Sequence, residues 1–377
     1  MVKKRFKSVF KYLFESIVIF LIIALIILFG AFVISYYMGI EISFEGNISD
    51  QIELKVYKKD SNKVEVENDE PIDIYINNDL SIDDEDLIEN KRTENDYFYS
   101  QLDDYGKIIY DKLVRNSENL KSGNYVVNFN NDFSEMLLNG EDEKLKTSYK
   151  NAVDCIRYDR MDMFYIDFTK MYLKIEKTTR GNDVSYNVYI EKGDDENNYF
   201  IEGIESQEQL EGILNQIEEK KKEILNNVSG TNYQKTLQIH DFLIDNLAYD
   251  ETYSRANNDN LIGVFYDGNV VCEGYAKAFK YLLDGLEIPC ILVIGDAVNS
   301  VGTSEKHMWN YVKINDEWYA VDVTWDDPIL VGAATLSDES RYRYFCRKSD
   351  FKNNHFSDGV ISVNGTEFMY PKLVDEQ

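Results

Sequence analysis

Proline is scarce in this chain, which excludes the proline-rich and glycine-rich compositions of linker proteins. Only four of the 377 residues are proline and 20 are glycine, whereas 14% are aromatic and tyrosine alone occurs 28 times. Disordered chains contain few aromatic residues, so this composition predicts a folded protein. The length suffices for two or more packed units with sizeable cores.

Cysteine is also scarce, and its spacing argues against a zinc site. The cysteines are Cys155, Cys272, Cys290 and Cys346; no two form a CxxC pair, and no histidine lies at metal-ligand spacing from them. We therefore expect no zinc site, and nucleophilic chemistry by a cysteine would need no metal and no organic cofactor. If Cys272 is a nucleophile, two of the other three cysteines can form a disulfide outside the cytoplasm. The sequence does not determine which two would pair.

Positive charge is rare beyond the N-terminus. Five of the 40 basic residues lie within residues 1–11, which hold no acid, so the remainder has 35 basic residues against 68 acidic ones, a net charge of −33. Such a polyanion repels nucleic-acid phosphates, which argues against DNA or RNA as a partner. The acidity predicts a well-solvated surface, with a cationic partner as the alternative.

A long uncharged window follows these basic residues. The 25 residues from Ser16 to Ile40 include no charge, and at about 1.5 Å each they are ample to cross a hydrocarbon core of about 30 Å. Basic residues precede the window and acidic residues follow it, so residues 1–15 are expected in the cytoplasm and the rest of the chain outside. The alternative is a cleaved signal peptide. The apolar run is longer than a typical signal, however, and Ser35–Met38 offers no clear cleavage site, so we expect an uncleaved anchor.

Two further regions are expected before Cys272. Residues 41–96 show a weak alternation of apolar and polar residues and are rich in Asp, Asn and Glu, which predicts a stalk or a few short strands. Residues 97–228 contain helical and strand patterns and predict an α+β region. His240, on an amphipathic helix at 232–247, is expected to be packed or solvent-exposed rather than a ligand.

Cys272 lies at the predicted start of a helix. The turn Asp267–Gly268 precedes it, apolar residues recur after it at steps of three and four, and Pro289 marks the end of the pattern. Backbone N–H groups in the first helical turn have no intrahelical partner, so they favour a thiolate and can bind an oxyanion. A cysteine at such a position is usually structural, so Cys272 alone does not predict catalysis.

His307 and Asp322 lie on a predicted hairpin that follows this helix. An imidazole can take a thiol proton and deliver it to a leaving group, with a carboxylate on its other ring nitrogen as orienter. A two-residue loop at Asn315–Asp316 pairs the residues that flank it and places His307 opposite Thr324. Asp322 then shares the face of His307 at a diagonal position, and a one-residue slip would move it to the other face.

Other residues of the hairpin are weaker candidates. Trp309, Asn310 and Trp325 are predicted to contact substrate, and the tryptophans, together with Trp318, could wall an acyl-binding cleft. Aromatic residues on hairpins most often pack in a core, and Asn310 can equally hydrogen-bond the local backbone. Substrate contact and a structural role therefore both stay open for the tryptophans and for Asn310.

Three motifs carry a resemblance to a known family. Cys-Glu-Gly-Tyr-Ala, His-x-Trp-Asn and Val-Asp-x-Thr-Trp stand at 272–276, 307–310 and 321–325. In this order they resemble the transglutaminase-like superfamily over about 263–328, which indicates a transglutaminase-like domain at 229–377. The regions around this core more loosely resemble bacterial membrane or secreted members.

The resemblance implies an α+β, papain-like fold in which a helix bearing Cys272 packs on an antiparallel sheet bearing His307 and Asp322. It implies their roles as nucleophile, general base and acid, and orienter, acting on a protein or peptide amide through a thioester. An amine acceptor then gives cross-linking, and water gives deamidation or proteolysis. A non-catalytic module that binds peptide or cell-wall material is the alternative, and a membrane-tethered structural protein is a third. The oligomeric state is not predicted.

Overall fold

The computed structural model describes residues 52–58, 95–180, 182–299, 302–328, 337–363 and 366–374. The predicted anchor at 16–40, the residues before it and most of the predicted stalk lie outside these ranges. Among the helices that are described, none is both long enough and apolar enough to cross a bilayer.

The described chain mixes helix and sheet. Its α-helices are α1 (Asp104–Arg115), α2 (Ser117–Leu120), α3 (Ser134–Leu138), α4 (Asp142–Asp159), α5 (Gln207–Asn226), α6 (Asn232–Asn246), α7 (Cys272–Asp284), α8 (Asp338–Arg341) and α9 (Lys348–Asn354). Its strands are β1 (Ile52–Lys58), β2 (Val127–Asn130), β3 (Met171–Arg180), β4 (Asp183–Lys192), β5 (Ala248–Tyr249), β6 (Asn269–Val270), β7 (Cys290–Val298), β8 (Ser304–Ile314), β9 (Glu317–Val321), β10 (His355–Phe356), β11 (Val360–Val363) and β12 (Thr366–Met369).

The first sheet has the strand order β1-β3-β4-β2. β1 runs parallel to β3, and the other pairs are antiparallel. β3 and β4 form a hairpin, with Arg180 paired to Asp183. Alternate residues of the two strands, such as Leu173 and Ile190, are buried, because successive side chains of a strand point to opposite faces of the sheet.

The second sheet carries the helix that begins at Cys272. Its strand order is β10-β7-β8-β9, with every pair antiparallel. Helix α7 packs against β7 and β8 through an apolar face that includes Tyr275, Phe279 and Leu282, all buried. The helix begins at the predicted residue because its apolar spacing starts there.

The hairpin of β8 and β9 has the predicted loop. Ile314 pairs with Glu317 across Asn315 and Asp316, and both loop residues have positive φ angles, 54° and 66°. That conformation is the one whose twist matches two antiparallel strands.

The predicted pairing of His307 with Thr324 is wrong. The ladder between β8 and β9 ends where Asn310 pairs with Val321, because the chain turns out of the sheet at Asp322. His307 pairs instead with Gly295 on β7.

A buried carboxylate joins the segment at 95–101 to α4. Asp159 Oδ2 accepts hydrogen bonds from the backbone N–H groups of Phe98 (2.9 Å) and Tyr99 (3.1 Å). Burial raises the pKa of Asp159 to about 8, although the nearby Lys280 ammonium opposes this shift. Buried side chains before and after residue 228 belong to one hydrophobic cluster, and the domain boundary at 228/229 stays a prediction.

Gly295 provides space at the centre of the second sheet. A Cβ atom there would overlap the carbonyl oxygen of Phe356 and lie 2.7 Å from the Trp309 ring. Phe356 belongs to β10 and pairs with the neighbouring residue Asp296. A larger residue at 295 would therefore push β10 away from β7.

We expect Gly295→Ala to lower the free energy of unfolding by about 1–3 kcal/mol, the usual cost of forcing extra atoms into a packed site. Gly212→Ala is the matched control, because nothing lies within 4 Å of its Cβ position and alanine is favoured over glycine in a helix by up to about 1 kcal/mol. Urea denaturation measures both variants. Equal stability of the two would contradict the role given to Gly295.

Candidate active site

Cys272 is the first residue of α7 and is half-buried. The backbone N–H groups of this first turn have no intrahelical acceptors, so they are available to an anion at the sulfur. Gly274 allows the start of the helix to pack closely, because a Cβ atom there would lie 2.7 Å from both Asn258 O and Val270 Cβ. The Val271 N–H donates to that same Asn258 oxygen (2.9 Å), which fixes the position of the thiol.

Asp322 both ends the strand and holds a histidine. Its Oδ1 accepts hydrogen bonds from the backbone N–H groups of Thr324 (3.0 Å) and Trp325 (3.2 Å), which caps the turn after β9. Its Oδ2 lies 2.7 Å from His307 Nε2. The carboxyl group is buried, which opposes its ionisation, but the neighbouring His307 and His355 hold its pKa well below the usual range. Asp322 is therefore a carboxylate.

His307 lies between this carboxylate and the thiol. Because Nε2 faces Asp322, Nδ1 is the ring nitrogen left for Cys272. Burial opposes the charge of the ring, but Asp322 and a hydrogen bond with Cys272 outweigh it and raise the pKa of His307 to about 10. The arrangement therefore favours an imidazolium between a carboxylate and a sulfur atom, the electrostatic setting of an activated thiol.

Cys272 and His307 open onto a cleft of about 860 Å³. Its walls mix aromatic, acidic and basic side chains. They include Tyr249, Tyr253, Glu273, Glu305, Lys306, Trp325, Asp327, Arg343 and Tyr344. A cleft of this size with a few polar groups is typical of a small-molecule or peptide site.

The weaker candidates fall in different places. Trp325 lines the cleft, with its ring 5.4 Å from that of His307. Trp309 is only 2% exposed, and its ring stacks on that of His307 with the centroids 6.0 Å apart. It lines a separate cavity of about 450 Å³, together with Trp318 and His355.

Asn310 does not line the cleft. It is 1% exposed, and its amide donates to the carbonyl oxygens of Ala276 (3.0 Å) and Ile291 (3.3 Å). These bonds join β8 to α7 and β7. Substrate contact therefore has support for Trp325 and none for Trp309 or Asn310.

His355 is the residue that the sequence did not identify. Its Nε2 lies 3.0 Å from Asp322 Oδ2, the same oxygen that faces His307. Within the described ranges these three residues form a group whose ligand atoms lie within 4.8 Å of one another, as a metal site would need. The separations of 2.7 and 3.0 Å are those of hydrogen bonds. Only the rarity of histidine, three in the chain, hinted at a role.

His240 is packed in the interior, which is one of the two alternatives predicted for it. Its Nε2 lies 3.0 Å from Asp326 Oδ2 in a fully buried pair. Asp326 Oδ1 accepts the backbone N–H of Tyr344 (2.7 Å). The pair thus ties α6 to the turn that Asp322 begins.

The other three cysteines are chemically distinct from Cys272. All four are free thiols. Burial raises the pKa of Cys346 to about 12 and also raises those of Cys155 and Cys290 well above the ordinary range. These three side chains are therefore held as neutral thiols.

Comparisons with known proteins agree with the motifs. Residues 220–323 match the family model of the transglutaminase-like superfamily, and no curated protein matches the chain significantly. The resemblance carried by the motifs is confirmed for this segment, which includes Cys272, His307 and Asp322.

Solved structures share limited similarity with the chain. A TGase has 12% identity, a TM-score of 0.29, and coverage of 48% of this chain and 51% of its own. A candidate cysteine protease from Cytophaga hutchinsonii has 14% identity, a TM-score of 0.25, and coverage of 40% and 62%. A candidate protease from Parabacteroides distasonis has 10% identity, a TM-score of 0.21, and coverage of 40% of both chains. The chain thus spans about half the length of the first of them.

The raised pKa of His307 predicts a pH-dependent stability. The folded-state pKa of about 10 lies above the ordinary value of 6.5, so its stabilising contribution is complete below about pH 6.5 and is lost as the pH rises through 10. Urea midpoints of the wild type should therefore fall more steeply between pH 7 and 10 than those of His307→Gln. Asp322→Asn, which removes the partner charge, should resemble His307→Gln. Parallel curves for all three proteins would refute this expectation.

Proposed function

We propose, from the premise that residues 220–323 are transglutaminase-like, that this protein is a cysteine enzyme acting on protein or peptide amides. The observation that carries the proposal is the contact series from Cys272 through His307 to Asp322, at the wall of an open cleft. Helix α7 supplies the thiol and the antiparallel sheet supplies the imidazole, which is the arrangement of a papain-like enzyme.

The first half of the reaction follows from the positions of the protons. His307 Nδ1 takes the thiol proton, and the charged ring is stabilised by the Asp322 carboxylate at Nε2. Cys272 Sγ attacks the carbonyl carbon of a carboxamide or peptide bond, and N–H groups of the first turn of α7 bind the oxygen that becomes negative. The C–N bond then breaks, His307 gives its proton to the departing amine, and a thioester remains on Cys272.

The second half depends on the acceptor that enters the cleft. His307 removes a proton from an amine or from water as that acceptor attacks the thioester, and the thiol regains its proton. A primary amine gives a new amide and hence cross-linking. Water gives deamidation or peptide-bond hydrolysis. The acylation step is common to all three outcomes.

We also propose that residues 16–40 anchor the enzyme in a membrane with its cleft outside the cytoplasm. The support is the uncharged window, the basic residues before it and the acidic residues after it. The free thiol of Cys272 would then work in a compartment where disulfides form.

Alkylation of the full-length chain in detergent tests the nucleophile. Iodoacetamide should label Cys272 faster than Cys155, Cys290 and Cys346, which are internal controls in the same sample. Since Cys155 and Cys290 are buried, the decisive comparison is His307→Ala, which should slow Cys272 labelling about 100-fold near neutral pH by removing the base. Peptide mapping by mass spectrometry measures each site.

The same proteins can then be given a glutamine-containing donor peptide, with and without a primary amine. Ammonia release that needs Cys272 and His307 would support the enzyme, and amine incorporation would separate transfer from hydrolysis. Labelling of Cys272 that is slow and unaffected by His307→Ala would favour a non-catalytic binding module.

Topology is tested on sealed, right-side-out vesicles carrying the full chain. Added protease should digest the part after residue 40 and leave residues 1–15 protected. Digestion with the opposite pattern, or release of the whole chain from the membrane by carbonate, would rule out this anchor. A cytoplasmic marker protein inside the vesicles controls for leakage.

A further inference from the structure

A second imidazole is bonded to the triad carboxylate. His355 Nε2 lies 3.0 Å from Asp322 Oδ2, and His307 Nε2 lies 2.7 Å from the same atom. We propose that His355 is a positioning residue: it donates a hydrogen bond that fixes the Asp322 carboxylate and limits how strongly that carboxylate holds His307. This rests on the proposed function, and His355 lies outside the residues that match the family model.

The direction of this hydrogen bond follows from charge. Asp322 is ionised and so can only accept, which requires a proton on Nε2 of both histidines. Burial lowers the pKa of His355, so its ring is neutral and carries that one proton. His355 is therefore a neutral donor, while His307 is the ring that gains and loses charge.

The other nitrogen of His355 is also engaged. Its Nδ1 lies 2.8 Å from Asn354 Oδ1, and Asn354 Nδ2 lies 2.8 Å from the hydroxyl of Tyr344. A neutral ring protonated at Nε2 must accept at Nδ1. Acceptance at Nδ1 requires the two nearly isosteric amide atoms to exchange places, so that the NH₂ group faces the ring and the oxygen faces the Tyr344 hydroxyl. Asn354 thus fixes the tautomer of His355.

His355 makes packing contacts that can be separated from this hydrogen bond. Its ring centroid lies 4.5 Å from that of Phe351 and 4.6 Å from that of Trp325. A phenylalanine at 355 would keep an aromatic ring in this place and lose the donor. A glutamine would keep an N–H donor and lose the ring. The two variants therefore distinguish donation from packing.

Loss of the hydrogen bond from His355 is expected to raise the pKa of His307. A carboxylate that accepts one hydrogen bond fewer keeps more negative charge for its remaining partner, so it stabilises the His307 imidazolium further. The ring then gives up its proton less readily to a departing amine. The carboxylate also loses one of its four donors, and with it part of its fixed orientation.

The experiment compares His355→Phe and His355→Gln in the full-length chain. The first readout is the rate of Cys272 alkylation by iodoacetamide from pH 6 to 11, whose upper inflection reports proton loss from His307. The second is turnover of a glutamine-containing peptide. We expect His355→Phe to move the inflection to higher pH by about one unit and to lower kcat about 10-fold with little change in KM, the scale of a lost hydrogen bond to a charged group. His355→Gln should restore both towards wild type.

Several outcomes would overturn the proposal. Wild-type behaviour of His355→Phe would show that the donor is dispensable. Equal damage in both variants, with the inflection unmoved, would show that His355 acts only by packing. Asn354→Leu covers the case in which His355→Phe does not fold: it leaves His355 in place, and an unmoved inflection there would also contradict the network. Loss of wild-type turnover on adding EDTA, with recovery on adding zinc, would make the cluster a metal site instead.

The proposed function has its own failure. If His307→Ala leaves Cys272 alkylation unchanged in the same assay, the proposed enzyme function is contradicted, whatever the His355 variants do. If His307→Ala slows labelling and the His355 variants behave as wild type, only the positioning role fails.

Discussion

The carboxylate of Asp322 is the group on which the rest of the site depends. It is buried, and it accepts four hydrogen bonds: two from the backbone of the turn after β9 and two from imidazole rings. A buried charge is costly unless it is paired and fully bonded. These donors satisfy that requirement, so the features that stabilise the charge also fix the turn and the rings of His307 and His355 in relation to one another.

The surrounding scaffold keeps these parts in register. Asn310 joins β8 to α7 and β7 through two carbonyl oxygens, and His240 joins α6 to the turn through Asp326. Tyr275 on α7 donates to Asp327 (2.6 Å) in the same turn. The helix that carries the thiol and the turn that carries the carboxylate are thus held both to the sheet and to each other. Buried polar groups that are fully partnered in this way give a site its rigidity.

The sequence predicted those parts of the site that local patterns determine. A helix starting at Cys272 follows from apolar spacing, and the loop at Asn315–Asp316 follows from two residues that tolerate positive φ. The pairing of His307 with Thr324 failed because it assumed that the ladder continues, whereas a side-chain cap by Asp322 ends it. Strand alternation alone does not reveal such a cap.

The sequence did not predict the long-range contacts of the site. His355 contacts Asp322 because it lies on a two-residue strand that pairs with β7. A strand this short has too few residues to show a periodic pattern in the sequence. Trp309 and Asn310 lie on β8 as predicted, but alternation does not say which neighbours cover a face. Here α7 covers the face of Asn310, and on the opposite face Trp309 packs against the rings of His307 and His355, so both side chains lie inside the protein.

The order of these residues along the chain has a consequence for biosynthesis. Translation makes Cys272 first, His307 and Asp322 later, and His355 last, and β10 can pair with β7 only after residues 355 and 356 have been made. A nascent chain therefore exposes its thiol before the base and the full set of donors exist. The contacts around Asp322 are complete only after residue 356 has been made, so until then the growing polypeptide carries Cys272 without these partners while its own side-chain amides are not yet folded away.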